Sequence, residues 1–155
     1  MDVNIRDLGK TPYGNTEHLW LSATLMEIRG ENELALGGAT ILLVEDDFFI
    51  GLEYVELLTG WGAKVIGPAI SDSEARKLLA GIEIDAALLD VSIQGGNSFA
   101  IAQDLYDEHI PFAFVTAFAS DEAMFPAGLK SLTRLGKPVH EAQLLSVLKS
   151  LLSTG

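Results

Sequence analysis

From residue 39 onward, apolar runs of strand length alternate with segments whose apolar residues recur at helical period. ATILLV (39–44) is apolar without alternation, as in a strand buried on both faces. A helix is predicted from Asp47, whose carboxylate caps free amides of the first turn, to Thr59, with Phe48, Leu52, Val55 and Leu58 or Tyr54 facing inward and Gly60 as its stop. AKVIG (63–67) reads as a second strand. SDSE (71–74) has the Ser-x-x-Glu form of a capping box and opens a helix to Ala80, which Gly81 ends. IDAALLD (84–90) is a third strand that ends in an acid, and SIQGGN (92–97) has the chemistry of a loop. SFAIAQDLYDEH (98–109) is a helix with Phe99, Ala102 and Leu105 inward. A fourth strand, PFAFVTA (111–117), a short helix, SDEAMF (120–125), and a fifth strand, SLTRL (131–135), precede a leucine-rich closing helix over 141–152. Strict alternation of five strands with helices predicts an α/β fold, a doubly wound parallel sheet covered on both faces. Ligands of such sheets sit beyond the carboxyl ends of the strands.

Residues 1–38 stand outside this alternation. TEHLWLSATLMEIR (16–29) is a candidate helix with Leu19, Leu21, Leu25, Met26 and Ile28 on a broad apolar face, and GENELALGG (30–38) reads as a linker. This extension is either a tail or helix covering the domain's side, or an element for homodimerisation or partner docking.

Composition narrows the function. With 155 residues and 48% hydrophobic content, one packed domain is expected, spanning 39–155. No apolar run approaches the ~20 residues of a bilayer span. The opening MDVNIRDLGK lacks the basic and apolar regions of a signal peptide, so a cytoplasmic, non-membrane protein is expected. The absence of cysteine excludes disulfides, thiolate zinc sites and cysteine nucleophiles. A net charge of -12, with ten Lys and Arg residues in no run, argues against nucleic acid, whose binding needs clustered cations. Protein partners, or a cationic or metal-bridged ligand, fit better.

The candidate chemistry lies at the strand ends. Glu45 and Asp46 follow the first strand, Asp90 ends the third, Thr116 ends the fourth and Lys137 follows the fifth. All five fall on one rim, where three carboxylates would repel unless a cation joined them. For carboxylate and carbonyl oxygens the natural choice is Mg2+. Such a set suits phosphoryl transfer: a metal and an ammonium neutralise the moving charge, a hydroxyl holds another oxygen, and a carboxylate is the nucleophile. Asp90 is the best candidate nucleophile, because it ends a buried strand beside the small, flexible 92–97 loop.

On ILLVEDD, the strand-ending Asp of ALLD, the Thr of FVTA and the Lys-Pro of GKP, the chain resembles the receiver domain of bacterial two-component response regulators. The resemblance covers 39–155 and rests on the order and spacing of these motifs together. It implies the flavodoxin-like receiver fold with strand order 2-1-3-4-5. It also implies that Asp90 accepts a phosphoryl group from a sensor histidine kinase or phosphotransfer protein. Asp46 and Asp90 would ligate Mg2+ directly, Ser92 through its backbone carbonyl and Glu45 through a water. Lys137 and Thr116 would hold phosphoryl oxygens, with Thr116 swinging in and the surface around the fifth strand changing for a downstream protein partner. With no DNA-binding domain following residue 155, the expected output is protein contact or relay.

Four positions depart from the pattern of the family or of one of its subgroups. Arg134 stands where an aromatic usually precedes the lysine by three residues, and Val139 stands where Phe is commoner. PFAFVTAFA is similar to the receiver subgroup with a Phe-Ala-Thr-Gly-x-Tyr motif, but Ala117 and Ala119 replace its Gly and Tyr. The family's Lys-Pro bond is often cis.

Other readings of the same residues are less specific. Singly, Asp90 would be a helix-capping or loop acid, Thr116 a strand residue and Lys137 a solvated one. His18, His109 and His140 read as surface or helix-end residues, Phe48 and Phe49 as packing with Phe48 bordering the site, and Trp20 and Trp61 as core or partner contacts. A competing function is a haloacid-dehalogenase-like phosphatase with an aspartyl-phosphate intermediate, although its Asp-x-Asp strand motif is absent. A flavodoxin-like FMN binder would place its phosphate against the acids after the first strand, which would repel it.

Overall fold

The computed structural model describes residues 34–154. Five strands form one sheet: β1 (Thr40–Val44), β2 (Lys64–Ala69), β3 (Ala86–Leu89), β6 (Phe112–Thr116) and β7 (Arg134–Gly136). All pairs are parallel, and the order is β2-β1-β3-β6-β7, which is the expected 2-1-3-4-5 counted over the sheet strands. The helices are α1 (Phe48–Gly60), α2 (Asp72–Leu79), α3 (Phe99–Asp107) and α4 (Glu141–Ser153).

Strand alternation sorts the core into two layers. Leu42, Val44, Leu89, Phe112 and Phe114 pack toward Ala75 of α2 and Ile101 and Leu105 of α3. Ile41, Leu43, Leu88 and Val115 pack toward Tyr54 and Leu58 of α1 and Leu144 and Leu148 of α4. Adjacent residues of β1 thus serve opposite faces, which is why its sequence is apolar without alternation. Trp61 joins the second layer, 7% exposed.

Several local expectations are corrected. The buried stripe of α1 is Gly51, Tyr54 and Leu58, while Phe48 is 72% exposed, Phe49 79% and Leu52 48%. The helix is apolar on nearly every side, so periodicity alone does not select its inner face. The approach to Pro68 contributes: a Cβ on Gly51 would lie 3.1 Å from Pro68 Cγ, closer than an ordinary contact, so a side chain there would push the ring by a few tenths of an ångström. Phe48 and Phe49 are therefore not packing residues; they lie on the first turn and touch each other edge to face.

The 92–97 loop contains a two-residue ribbon, β4 (Ser92–Ile93) against β5 (Gly96–Asn97), turned through Gly95 at φ 87°. The short helix expected over 120–125 is a 3-10 turn (Glu122–Met124) capped by Asp121, and a second turn follows at Ala127–Leu129. Pro126 disfavours helical backbone at Phe125, which is extended, so an α-helix cannot continue there. The fifth strand begins at Arg134, three residues later than expected, where pairing with Phe114 begins. In α3 the buried residues are Ile101, Ala102 and Leu105, with Phe99 partly buried against the same layer. His109 lies just past this helix at φ 60°.

Two caps fall where the sequence places them. Ser71 accepts the Glu74 amide at 3.2 Å, although the Glu74 carboxylate returns to the Ile70 amide rather than that of Ser71. Asp47 Oδ1 accepts the amides of Phe49 and Ile50 at 2.9 and 3.0 Å. Asp47→Ala is expected to lower stability by about 1 kcal/mol, read from denaturant unfolding; an unchanged midpoint would mean that water replaces this cap at no cost.

The candidate helix over 16–29, with Trp20 and His18, lies outside the described residues. The end of the expected linker is packed: Leu36 is 3% exposed, and the Leu36 and Gly38 amides donate to the carbonyls of Trp61 and Gly62. Among the described residues no helix is long and apolar enough to cross a membrane.

Candidate functional site

The site is built at the carboxyl ends of three central strands. β1 carries Glu45 into the rim, where the Glu45 amide donates to Ala69 and the Asp90 amide to Val44, so the ends of β1 and β3 are held in register. Thr116 is the last residue of β6, and its carbonyl accepts the Lys137 amide, which places the lysine beside the same rim. The Lys137-Pro138 bond is cis.

Lys137 is the hub of the side-chain geometry. Its Nζ lies 2.5 Å from Glu45 Oε2 and 2.7 Å from Asp90 Oδ2. Glu45 is 2% exposed and Asp90 9%, while Asp46 is exposed at the mouth. The second Glu45 oxygen accepts the Asp47 amide at 3.0 Å, and Asp90 Oδ1 accepts the Ser92 amide at 3.3 Å. Asp90 is thus oriented from both sides, by an ammonium and by the first residue of the ribbon. Thr116 is fully buried, and its Oγ1 accepts the Phe118 amide at 3.3 Å.

Burial raises the Glu45 carboxyl above its ordinary value, opposed by its bonds to Lys137 and the Asp47 amide. Burial alone would lower Lys137, but its carboxylate partners, Asp90 first and then Glu45, win and hold it above the usual lysine value. The ammonium is therefore a fixed positive charge at neutral pH. Tyr54, which the sequence marks only as an inner-stripe residue, lies close enough to feel Lys137 and Glu45, although burial is the main cause of its raised value.

One oxygen from each of Glu45, Asp46 and Asp90 can be chosen so that all three lie within 4.8 Å of one another. This all-oxygen donor set suits a hard divalent cation. The sequence-predicted residues Glu45, Asp46, Asp90, Thr116 and Lys137 therefore share one rim, with Ser92 two residues beyond Asp90. Sequence reasoning missed the supports behind them. Gly67 and Pro68 shape the β1–β2 edge under Glu45, and the one available signal was a Gly-Pro pair interrupting a strand.

No protein-family model matches the sequence, and no curated protein matches it. Solved structures do. The PhyR receiver domain from Erythrobacter litoralis shares the fold at 20% identity and a TM-score of 0.68, over 77% of this chain and 93% of that one. The response regulatory domain of mrkE from Klebsiella pneumoniae does so at 24% identity and 0.63, over 74% and 96%. The non-phosphorylated HemR receiver domain from Leptospira biflexa is 30% identical, with a TM-score of 0.65, over 74% of this chain and 94% of that one. Since that likeness in sequence and fold spans nearly the whole HemR domain, the chain belongs to the receiver-domain family of response regulators.

Proposed function

We propose that this receiver is switched by phosphorylation of Asp90, with the phosphoryl group coming from a phosphohistidine on a sensor kinase or phosphotransfer protein. An Asp90 oxygen attacks phosphorus, the bond from phosphorus to the donor nitrogen breaks, and the donor histidine leaves with a proton. The observation that supports this reading is the juxtaposition of Asp90 with Lys137, Glu45 and Asp46 at the open end of a buried strand.

Each residue has a role that its surroundings suit. Lys137 already touches Asp90, so it can follow the negative charge onto the phosphoryl oxygens without reorganising. Thr116 offers a hydroxyl to another oxygen. Asp46 and Asp90 would hold Mg2+ by carboxylate oxygens, with the Ser92 carbonyl, and Glu45 would act through water. When bound, the ion neutralises charge on the transferring group. The added charge of about -1.5 to -2 then biases the domain toward a second conformation that a downstream protein reads.

The test is incubation with acetyl phosphate and Mg2+ followed by intact-mass measurement. One phosphoryl adduct per chain, absent when EDTA is present, is expected. No adduct would sink the proposal, and rapid turnover of phosphomonoesters would point to a phosphatase instead.

A further inference from the structure

α1 has two apolar faces, and the core of the domain uses one of them. Gly51, Tyr54 and Leu58 are buried against the sheet. Phe48, Leu52 and Val55 recur at i, i+4 and i+7 on another side of the helix, where Phe48 and Leu52 are exposed and Val55 is partly buried; Phe49 stands exposed beside them. A helix that is apolar nearly all round is suited to being covered on both sides, and an exposed stripe of large apolar side chains marks an interaction surface.

The described chain enters the domain at the far end of this same helix. The Leu36 amide donates to the carbonyl of Trp61, the residue that follows α1, at 2.9 Å. Two turns lead from there into β1: the Gly37 amide donates to the Leu34 carbonyl at 3.0 Å and the Ala39 amide to the Leu36 carbonyl at 2.9 Å. Leu34, at the start of the first turn, is 79% exposed. A reversal at this point lets the residues before Leu34 run alongside α1 rather than away from the domain.

The sequence of those preceding residues matches the stripe. Leu21, Leu25 and Ile28 have the same 4-and-3 spacing as Phe48, Leu52 and Val55, and Gly30 follows as a helix stop. Taken as a helix, 16–29 would be about 21 Å long, against about 20 Å for α1. Residues 30–33 span up to about 13 Å, enough to cross the roughly 8–10 Å between packed helix axes. The register that sets Ile28 beside Val55 also sets Arg29 beside Glu56, an exposed acid of opposite charge.

We propose that residues 16–29 form a helix that lies parallel to α1 in the same chain and covers the stripe of Phe48, Leu52 and Val55. Trp20 then falls level with Asp47, at the end of α1 nearest the acids. The rival occupant is the same stripe of a second copy, but that pairing would leave Leu21, Leu25 and Ile28 uncovered. A segment tethered four residues away also competes at high effective concentration. The proposal does not depend on phosphorylation of Asp90.

The chain has no cysteine, so a single Ser22→Cys change allows one nitroxide label to be placed on the full 15N-labelled chain. The amides of Phe49, Leu52 and Val55 should lose NMR intensity, while those of Ala102 and Leu105 on α3, across the sheet, keep theirs. Phe48→Ser with Leu52→Ser, both exposed side chains, should restore the α1 signals. Leu21→Ser with Leu25→Ser should do the same from the other partner, and decides the matter if the first pair does not fold. Full α1 intensity in the labelled parent, or a loss that persists in these variants, would overturn the proposal. So would the same loss in 15N chains that carry no label when mixed with labelled 14N chains, since it would assign the stripe to a second copy.

Discussion

Asp90→Asn is expected to abolish the adduct formed from acetyl phosphate and Mg2+, while the domain stays folded. The amide keeps the size of the carboxylate but has no anionic oxygen to attack phosphorus. The fold should tolerate it, because Asp90 stands among acids with one shared ammonium, and removing a negative charge relieves repulsion. Asp46→Ala should act on the same reaction by a different route. Asp46 is exposed and is the acid of the cluster farthest from neutralisation by Lys137, so its loss removes a metal oxygen and little structure. With several kcal/mol of charge stabilisation at stake, adduct formation should slow by about 100-fold or more, with partial recovery as Mg2+ is raised. A persistent adduct in Asp90→Asn would place the phosphoryl acceptor elsewhere. Full-rate labelling of Asp46→Ala, with failure of Asp47→Ala, would mean that the acid pair had been assigned one residue out of register.

Gly67→Ala is expected to destabilise the domain by about 3 kcal/mol or more, near the upper end for single substitutions. Gly67 has φ 114°, and a Cβ there would lie 2.4 Å from the Leu43 carbonyl oxygen and 2.9 Å from the Ala69 amide nitrogen. Both neighbours are backbone, so neither can rotate away. The clash falls where β1 and β2 shift register, between the Leu42–Ile66 and Val44–Ala69 pairs. The Glu45 amide bonds to the Ala69 carbonyl just beyond, so any relief would move the acid rim as well. Gly60→Ala is the control, since a Cβ there meets nothing within 4 Å and its φ is ordinary. It should be neutral or slightly stabilising. Equal denaturant midpoints for the two variants would show that the β1–β2 edge yields more easily than its backbone contacts imply.

The legible part of the site was the part written in chain order. Glu45, Asp46 and Asp90 each interrupt or end an apolar run, and Thr116 and Lys137 take the same relative place on later strands. In a parallel sheet every strand ends on the same side, so these positions had to share a rim. Reading α1 was harder. Phe48 and Leu52 fit a helical stripe as well as Gly51, Tyr54 and Leu58 do, and hydrophobicity favoured the wrong set. Phe48 and Phe49 leave most of their rings exposed. The weak fifth strand was misplaced for a related reason, because its pairing partners on β6 set where it begins.

By itself the sequence determined the five-strand α/β alternation, the caps at Asp47 and Ser71 and the acids at the strand ends. These follow from periodicity and from bonds between residues at most four apart in the chain. Only the tertiary structure decided that Lys137 bridges Glu45 and Asp90, that Gly51 lets α1 approach Pro68, and that Arg134 rests on Phe125. Each of those depends on which distant segments meet and how closely, and contact between segments far apart in the chain leaves no local period to read.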